Sequence, residues 1–321
     1  MKLSIILPVY NEEESIEKLY REIKAVLAGL PGDYEIIAVN DGSKDKSLDV
    51  LRSISQGDDK FRVINFRRNY GQTAAISAGI DCSQGEILLP MDADLQNDPA
   101  DIPKFLEKID QGFDVVSGWR KQRHDNFSRR LPSRVANRLI SLITKVKLHD
   151  YGCTMKAYKR DAVKDVRFYG EMHRFMPALA SWHGAEIAEI VVNHRPRKYG
   201  RAKYGLSRTL KVVLDLLTVK FLMTYLTKPI HFFGQAGFLM LFFGFLSGIA
   251  TLVLKIQGIH LNRTPLPLLT VFLIIVGVQF ILMGLLAEIL IRIYYEPQAK
   301  LPYSIKEKIN FDHDDANIKK S

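Results

Sequence analysis

Asp92-Ala93-Asp94, with Gln96 two residues on, is the stretch of this chain best equipped for chemistry. Two carboxylates one residue apart make a hard-oxygen donor set. Such a set suits Mg2+ or Mn2+ that keeps several waters and shares its other positions with a diphosphate. The same residues also suit a plainer role, a turn in which Asp94 or Asp98 caps the next helix. Their surroundings bear on the choice. Glu86 to Met91, just before them, is a short apolar run of the kind that forms a buried strand. Open α/β sheets bind ligands at the carboxyl ends of their strands, which is where this pair falls.

The elements that would position the pair read as alternating strands and helices. Leu3–Leu7, Glu35–Val39, Arg62–Phe66, Glu86–Met91 and Asp114–Ser117 read as five strands. Between the first two, Ile16, Leu19, Tyr20, Ile23, Val26 and Leu27 share one helical face, with Asn11 placed to cap that helix. Helices through Leu48, Leu51 and Ile54, through Ala74, Ala75 and Ala78, and from Ile102 to Ile109 follow the later strands. This alternation predicts a largely parallel, twisted α/β sheet covered on both faces. Asp41, Arg68 and the Asp92/Asp94 pair then crowd one edge. A nucleotide would lie along it, with base and ribose near Asp41 and diphosphate near Asp94. No G-x-G-x-x-G follows the first strand and no G-x-x-x-x-G-K-[ST] occurs, so dinucleotide and P-loop readings lose their main support.

Pro8-Val9-Tyr10-Asn11-Glu12, Asn40-Asp41-Gly42-Ser43, Arg68-Asn69-Tyr70-Gly71 and Asp92-Ala93-Asp94-Leu95-Gln96 occur in this order. In order and spacing they resemble the nucleotide-sugar half of family 2 glycosyltransferases with the GT-A fold. The subgroup most resembled is the polyprenyl-phosphate transferases, among them dolichol-phosphate mannose synthases, bactoprenol glucosyltransferases and aminoarabinose-type transferases. The resemblance runs to about Glu296. It implies that Pro8, Tyr10, Glu12 and Asp41 hold the nucleoside, and that Asp92, Ala93, Asp94 and Gln96 lie against the metal and diphosphate. It further implies that Arg120, and an Arg-x-x-x-Ser matching Arg129 and Ser133, hold the lipid phosphate. An Arg-x-x-Gly-x-Ser-Lys is matched by Arg197, Gly200 and Lys203, with Ala202 in place of the usual serine. Homo-oligomerisation is an expectation from the resemblance alone.

The middle of the chain carries a basic amphipathic helix at about 128–148, with Val135, Leu139, Leu142, Ile143 and Val146 on one face. That pattern suits an element lying on an anionic membrane surface and equally a helix packed on the sheet. Where bactoprenol glucosyltransferases have Gly-Asp-Phe-Arg, this chain has Gly152-Cys153-Thr154-Met155, so no catalytic aspartate is carried over. An acceptor phosphate is already largely anionic at neutral pH and needs little general-base help. Cys153 reads as a small buried thiol. A lone His173 is weak metal evidence. The basic 195–205 stretch suits nucleic acid in isolation, but beside the acidic pair it reads as a lid over a diphosphate.

Phe232–Leu254 and Leu266–Ala287 carry no charged residue. At about 1.5 Å per residue each would cross a hydrocarbon core of roughly 30 Å. The loop between them has only Lys255 and Arg263, whereas Arg208, Lys211, Lys220 and Lys228 precede the pair and Arg292, Lys300, Lys306 and Lys308 follow it. Positive-inside bias places both termini in the cytoplasm. The expected organisation is a GT-A domain over 1–205, a juxtamembrane amphipathic helix over 206–228, a membrane hairpin over 229–292 and a polar tail over 293–321. The net charge of +10 suits an anionic partner, and two cysteines do not make a disulfide framework. No cleavable signal peptide is read at the start.

These features predict a membrane-bound inverting glycosyltransferase of the cell membrane, using Mg2+ or Mn2+. It would move a sugar from a nucleotide sugar, UDP-linked rather than GDP-linked by preference, to a polyprenyl phosphate. A polysaccharide synthase would need Gln-x-x-Arg-Trp and more spans, and neither is here. A non-catalytic scaffold would have no use for the intact acidic and basic motifs. Nucleic acid is not an expected partner.

Overall fold

Eight strands make one sheet in the order β7-β5-β6-β4-β1-β2-β3-β8 in the computed structural model of the chain. The structure describes residues 2–121, 140–141, 144–163, 174–182, 184–196, 229–258, 260, 264–295 and 303–311. The strands are β1 Leu3–Val9, β2 Tyr34–Asn40, β3 Phe61–Phe66, β4 Ile87–Pro90, β5 Val115–Trp119, β6 Lys156–Lys159, β7 Ile187–Val191 and β8 Ile305–Ile309. β4, β1, β2 and β3 run parallel, as do β5 and β7. β6 enters antiparallel between β4 and β5, and β8 closes the β3 edge antiparallel. All the parallel strands therefore deliver their carboxyl ends to one edge.

Burial explains why the central strands read as near-continuous apolar runs. Ile5, Leu7 and Val9 of β1 pack with helices α1 (Ile16–Leu27), α2 (Ser47–Gly57) and α4 (Ile102–Asp110). Ile6, Ile37, Val39 and Ile64 point the other way, toward α3 (Gln72–Cys82) and the helix Met176–Trp182. A strand covered on both faces has no use for polar alternation. α1 buries the face expected of it, through Ile16, Leu19, Ile23 and Leu27.

Three expectations change. Asn11 does not cap α1, which starts at Ile16 after Ser15. Asn11 instead adopts a left-handed φ of 52° and accepts a hydrogen bond from the Lys44 N–H at 2.8 Å, tying the first loop to the second. The strand β6 went unread because four residues with lysine at both ends show no usable period. Residues 305–309 are not simply a polar tail. Ile-Lys-Glu-Lys-Ile is an edge strand with charged residues between its apolar ends, as exposed edges favour.

The chain divides into two compact units, one of residues 1–219 with 300–321 and one of 220–299. The second holds helices Pro229–Ile256 and Leu266–Tyr295. Their stretches Phe232–Ile256 and Leu266–Ala287 are long and apolar enough to cross a membrane. Small residues let the two approach closely. A Cβ on Gly237 would meet the Gly277 carbonyl at 2.8 Å, and Thr270 Oγ1 donates to Ser247 Oγ at 2.9 Å. Their large side chains face outward, with Phe238 68% and Leu268 76% exposed, the reverse of a soluble core helix.

Candidate active site

Five loops meet at the carboxyl edge of the sheet, each just after a parallel strand: Tyr10 after β1, Asp41 after β2, Arg68 after β3, Asp92 after β4 and Arg120 after β5. Pro8 lies within β1, paired with Val39. Glu12 is fastened locally, its N–H donating to Ser47 Oγ at 2.9 Å and its carboxylate accepting from Ser15 Oγ at 3.0 Å.

Asp41 joins two of these loops. Its carboxylate accepts the N–H groups of Tyr70 at 2.6 Å and Gly71 at 2.9 Å, and its carbonyl accepts from Asn69 Nδ2 at 3.2 Å. Burial pushes its carboxyl up to about 6, against the pull of those two N–H donors. Gly42 allows this closure. It has a φ of 67°, and a Cβ there would meet the Arg68 carbonyl carbon at 2.5 Å.

The acidic pair is held by a turn. Leu95, between Asp94 and Gln96, has a left-handed φ of 61°, a conformation costing on the order of 1 kcal/mol for a residue with a side chain. That turn brings the Gln96 N–H to Asp94 Oδ1 at 3.1 Å. Asp92 is oriented from both sides, by Gln72 Nε2 at 2.6 Å and Thr154 Oγ1 at 2.8 Å. Ala93 is buried between the two carboxylates' positions. The helix-cap role falls to Asp98, which accepts the Ala100 N–H at 3.1 Å at the start of the short helix Pro99–Asp101.

The donor set fits a divalent ion of a particular kind. Asp92 and Asp94 are hard carboxylate ligands, and among the described residues no third His, Cys, Asp or Glu joins them in a metal cluster. Two carboxylates are too few for an all-protein cage. They suit an ion that completes its coordination with water and substrate phosphate.

Arg120 has a partner the sequence did not announce. Asp150 takes its Nε at 2.7 Å and Nη2 at 3.0 Å, two of a guanidinium's five N–H donors. Burial works against the charged form of Arg120, and the Asp150 carboxylate more than offsets it, so the guanidinium stays ionised. The loop from Asp150 to Met155 is fixed from within by Lys156. Its buried ammonium donates to the carbonyls of Tyr151 and Cys153, and burial lowers it to about 8. Cys153 is buried, and burial pushes its thiol up, as expected of a packing residue. Because β6 runs antiparallel, its leading loop reaches the same edge as the ends of β4 and β5, which carries Thr154 to Asp92.

The start of the basic 195–205 stretch is docked on the acidic loop. Asn97 and His194 form an antiparallel bridge, and the Arg195 N–H donates to the Gln96 carbonyl at 2.8 Å. Arg195 also pairs with Glu22 at 2.6 Å and Asp98 at 2.7 Å. Arg197 and Lys203 themselves lie outside the described residues, as do Arg129, Ser133, His173 and the 206–228 stretch. Of the 128–148 helix only 140–141 and 144–148 are described. Gln72, Asp150, Thr154 and Arg195 are the residues that sequence reading missed. Each is a common polar type whose role appears only once the sheet order is known.

The pattern of the family described as Glycosyl transferase family 2 matches residues 4–167. The dodecaprenyl-phosphate galacturonate synthase of Rhizobium johnstonii is 40% identical over 316 residues, covering 96% of this chain and 93% of that protein. The chain belongs to glycosyltransferase family 2. Another member, the undecaprenyl-phosphate 4-deoxy-4-formamido-L-arabinose transferase of Pseudomonas aeruginosa, is 37% identical over 310 residues, covering 96% of this chain and 90% of that one. Among solved structures, the family 2 chain shares its fold with glucosyl-3-phosphoglycerate synthase from Mycobacterium tuberculosis, crystallised with Mn2+, uridine diphosphate and phosphoglyceric acid. The TM-score is 0.54 at 19% identity, over 68% of this chain and 78% of that one.

Proposed function

We propose that this enzyme transfers a sugar from a nucleotide sugar to a polyprenyl phosphate at the carboxyl edge of its sheet. The observation that carries the reading is the convergence there of Asp41, the oriented Asp92, Asp94 and Arg120. Full-length relatives named for dodecaprenyl- and undecaprenyl-phosphate products support the acceptor. A solved structure of the same fold with Mn2+ and uridine diphosphate supports the donor class.

In this reading Pro8, Tyr10, Glu12 and Asp41 receive the nucleoside. Asp94, with Asp92 and Gln96, would hold a divalent ion, which would supply positive charge against the departing diphosphate. Gln72 and Thr154 fix the Asp92 carboxylate before substrate arrives, so no reorganisation is needed at the moment of reaction. An oxygen of the lipid phosphate attacks the anomeric carbon. The bond from that carbon to the diphosphate oxygen breaks, the nucleoside diphosphate leaves with the electron pair, and the configuration inverts. Arg120, Arg129 and Ser133 position the acceptor phosphate, and Arg197 and Lys203 close over the donor phosphates. Asp150 keeps the Arg120 guanidinium charged and oriented through two hydrogen bonds.

The two long apolar helices anchor the enzyme in the bilayer. β8 lies after them in sequence yet pairs with β3, so the chain re-enters the sheet it left. Both ends of the hairpin must then open to one compartment. The excess of lysine and arginine at those ends supports the cytoplasm as that compartment.

Incubating membranes that contain the enzyme with radiolabelled nucleotide sugars and either undecaprenyl or dolichyl phosphate tests this. The expected result is metal-dependent label in the lipid fraction for one donor and acceptor pair. Nucleotide-sugar hydrolysis with no lipid product under every combination contradicts it.

A further inference from the structure

We infer that the strand following the second long helix is a working part of the donor site, with Tyr303 and Glu307 as positioning residues for the nucleoside loops. The inference rests on the donor reading above. It concerns residues that lie far beyond the family 2 pattern, which ends at 167.

Two relays lead from β8 and the residues just before it to Asp41 and its neighbours. The first is aromatic. Tyr303, 6% exposed, stacks on Phe66 with centroids 5.1 Å apart, and its hydroxyl donates to Asp81 Oδ2 at 2.8 Å. Phe66 meets Tyr70 edge-on at 5.6 Å, and the Tyr70 N–H donates to the Asp41 carboxylate at 2.6 Å. The Arg67 N–H donates to the Ser304 carbonyl at 3.1 Å, so the backbone leading into this loop is pinned by the same segment.

The second relay is polar. Glu307 Oε1 accepts from Asn65 Nδ2 at 2.8 Å and from Arg52 Nη2 at 2.6 Å. Asn65 Oδ1 accepts from Asn40 Nδ2 at 2.8 Å, and Asn40 Oδ1 accepts the Ser43 N–H at 3.3 Å. Asn40 and Asn65 are nearly fully buried. Each has its amide orientation set by the next member, and the last acceptor is Glu307, an obligate acceptor when ionised. The two relays reach Asp41 by different routes, one through the 68–71 loop and one through the 40–43 loop. β3 and β8 shift register between Asn65 and Phe66, where the two relays leave the ladder. An edge strand needed only to cover β3 would not require either connection.

The test uses the full-length protein in detergent, titrated with uridine or guanosine diphosphate and Mn2+ without lipid. Tyr303→Ala and Glu307→Ala should each weaken nucleotide binding roughly tenfold or more, because small displacements of positioning groups are costly. Tyr303→Phe keeps the stacked ring and should stay within roughly threefold of wild type. In transfer assays donor KM should rise while KM for polyprenyl phosphate stays unchanged. Glu307 is the more exposed of the two, so Glu307→Ala carries the test if Tyr303→Ala does not fold. Folded variants that bind nucleotide within roughly twofold of wild type overturn the inference, as does an equal loss toward both substrates. Wild-type protein that binds neither nucleotide overturns the donor reading itself.

Discussion

The two edges of the sheet use the same acidic residue types to opposite ends. At the amino edge, Glu35 is 2% exposed and pairs with Arg62 at 3.0 Å while accepting from Ser4 Oγ at 2.6 Å and the Gly85 N–H at 3.1 Å. Nearby, burial pushes the Asp58 carboxyl up, but Lys24 at 2.9 Å and the Tyr20 hydroxyl outweigh it and hold the group below its ordinary range. At the carboxyl edge, Asp41 is more deeply buried than Asp58, its carboxylate is met by backbone N–H groups, and burial wins. Asp92 is oriented by an amide and a hydroxyl and also faces the charge of Arg120. A carboxylate matched by a cation within the chain is finished structure. The Asp41 carboxylate, met by backbone N–H groups, still carries the cost of its charge and stands to gain from a donor that a ligand supplies.

If that contrast is right, removing charge at the two edges should fail in different ways. The largest effect is expected from Asp94→Ala, which should abolish transfer of radiolabelled sugar to polyprenyl phosphate while leaving the melting temperature near wild type. Glu35→Ala should do the reverse. Removing the buried carboxylate that pairs with the largely buried Arg62 should cost about 3–5 kcal/mol of stability in chemical denaturation, with turnover per folded molecule retained. Asp41 should show a pH-dependent effect. Its folded pKa of about 6 lies above the ordinary 3.8, so its cost to the ligand-free fold is absent below the lower value and complete above the higher. Asp41→Asn should remove this pH dependence of stability without stabilising the fold, because its NH2 would face one of the two N–H donors of Tyr70 and Gly71. A nucleoside that donates a hydrogen bond to the ionised carboxylate should bind about tenfold more weakly per pH unit below that pKa, and Asp41→Asn should flatten the profile. The smallest effect belongs to Cys153→Ser. The thiol packs against Gly118 and burial keeps it un-ionised beside Arg120 and Asp150, so turnover should change by less than about tenfold.

Much of the site was legible because its residues follow strands whose apolar runs are unmistakable. Asp41, Asp92 and Asp94 come straight after β2 and β4, so reading the strands placed them on one edge. What escaped was whatever depends on antiparallel insertion. Thr154 reaches Asp92 only because β6 runs against its neighbours, and four residues flanked by lysines give no period from which to infer that. Asp150 gave no signal because its partner Arg120 lies thirty positions earlier, and an ion pair leaves no trace in spacing. The 305–309 strand was hidden by its own edge position, since charges there reproduce the composition of a solvated tail. The two apolar helices were the easiest to read, because length and absence of charge suffice. Their close contact through Gly237 and Gly277 was not apparent from composition.

The central claim is that Asp94, backed by the pre-oriented Asp92, receives the metal-bound diphosphate of the donor. Anomalous diffraction from crystals soaked with Mn2+ and nucleoside diphosphate tests it most directly. The account predicts a manganese peak within coordination reach of the Asp94 carboxylate and of the diphosphate oxygens. A peak elsewhere, or diphosphate seated away from the 92–96 turn, would contradict it.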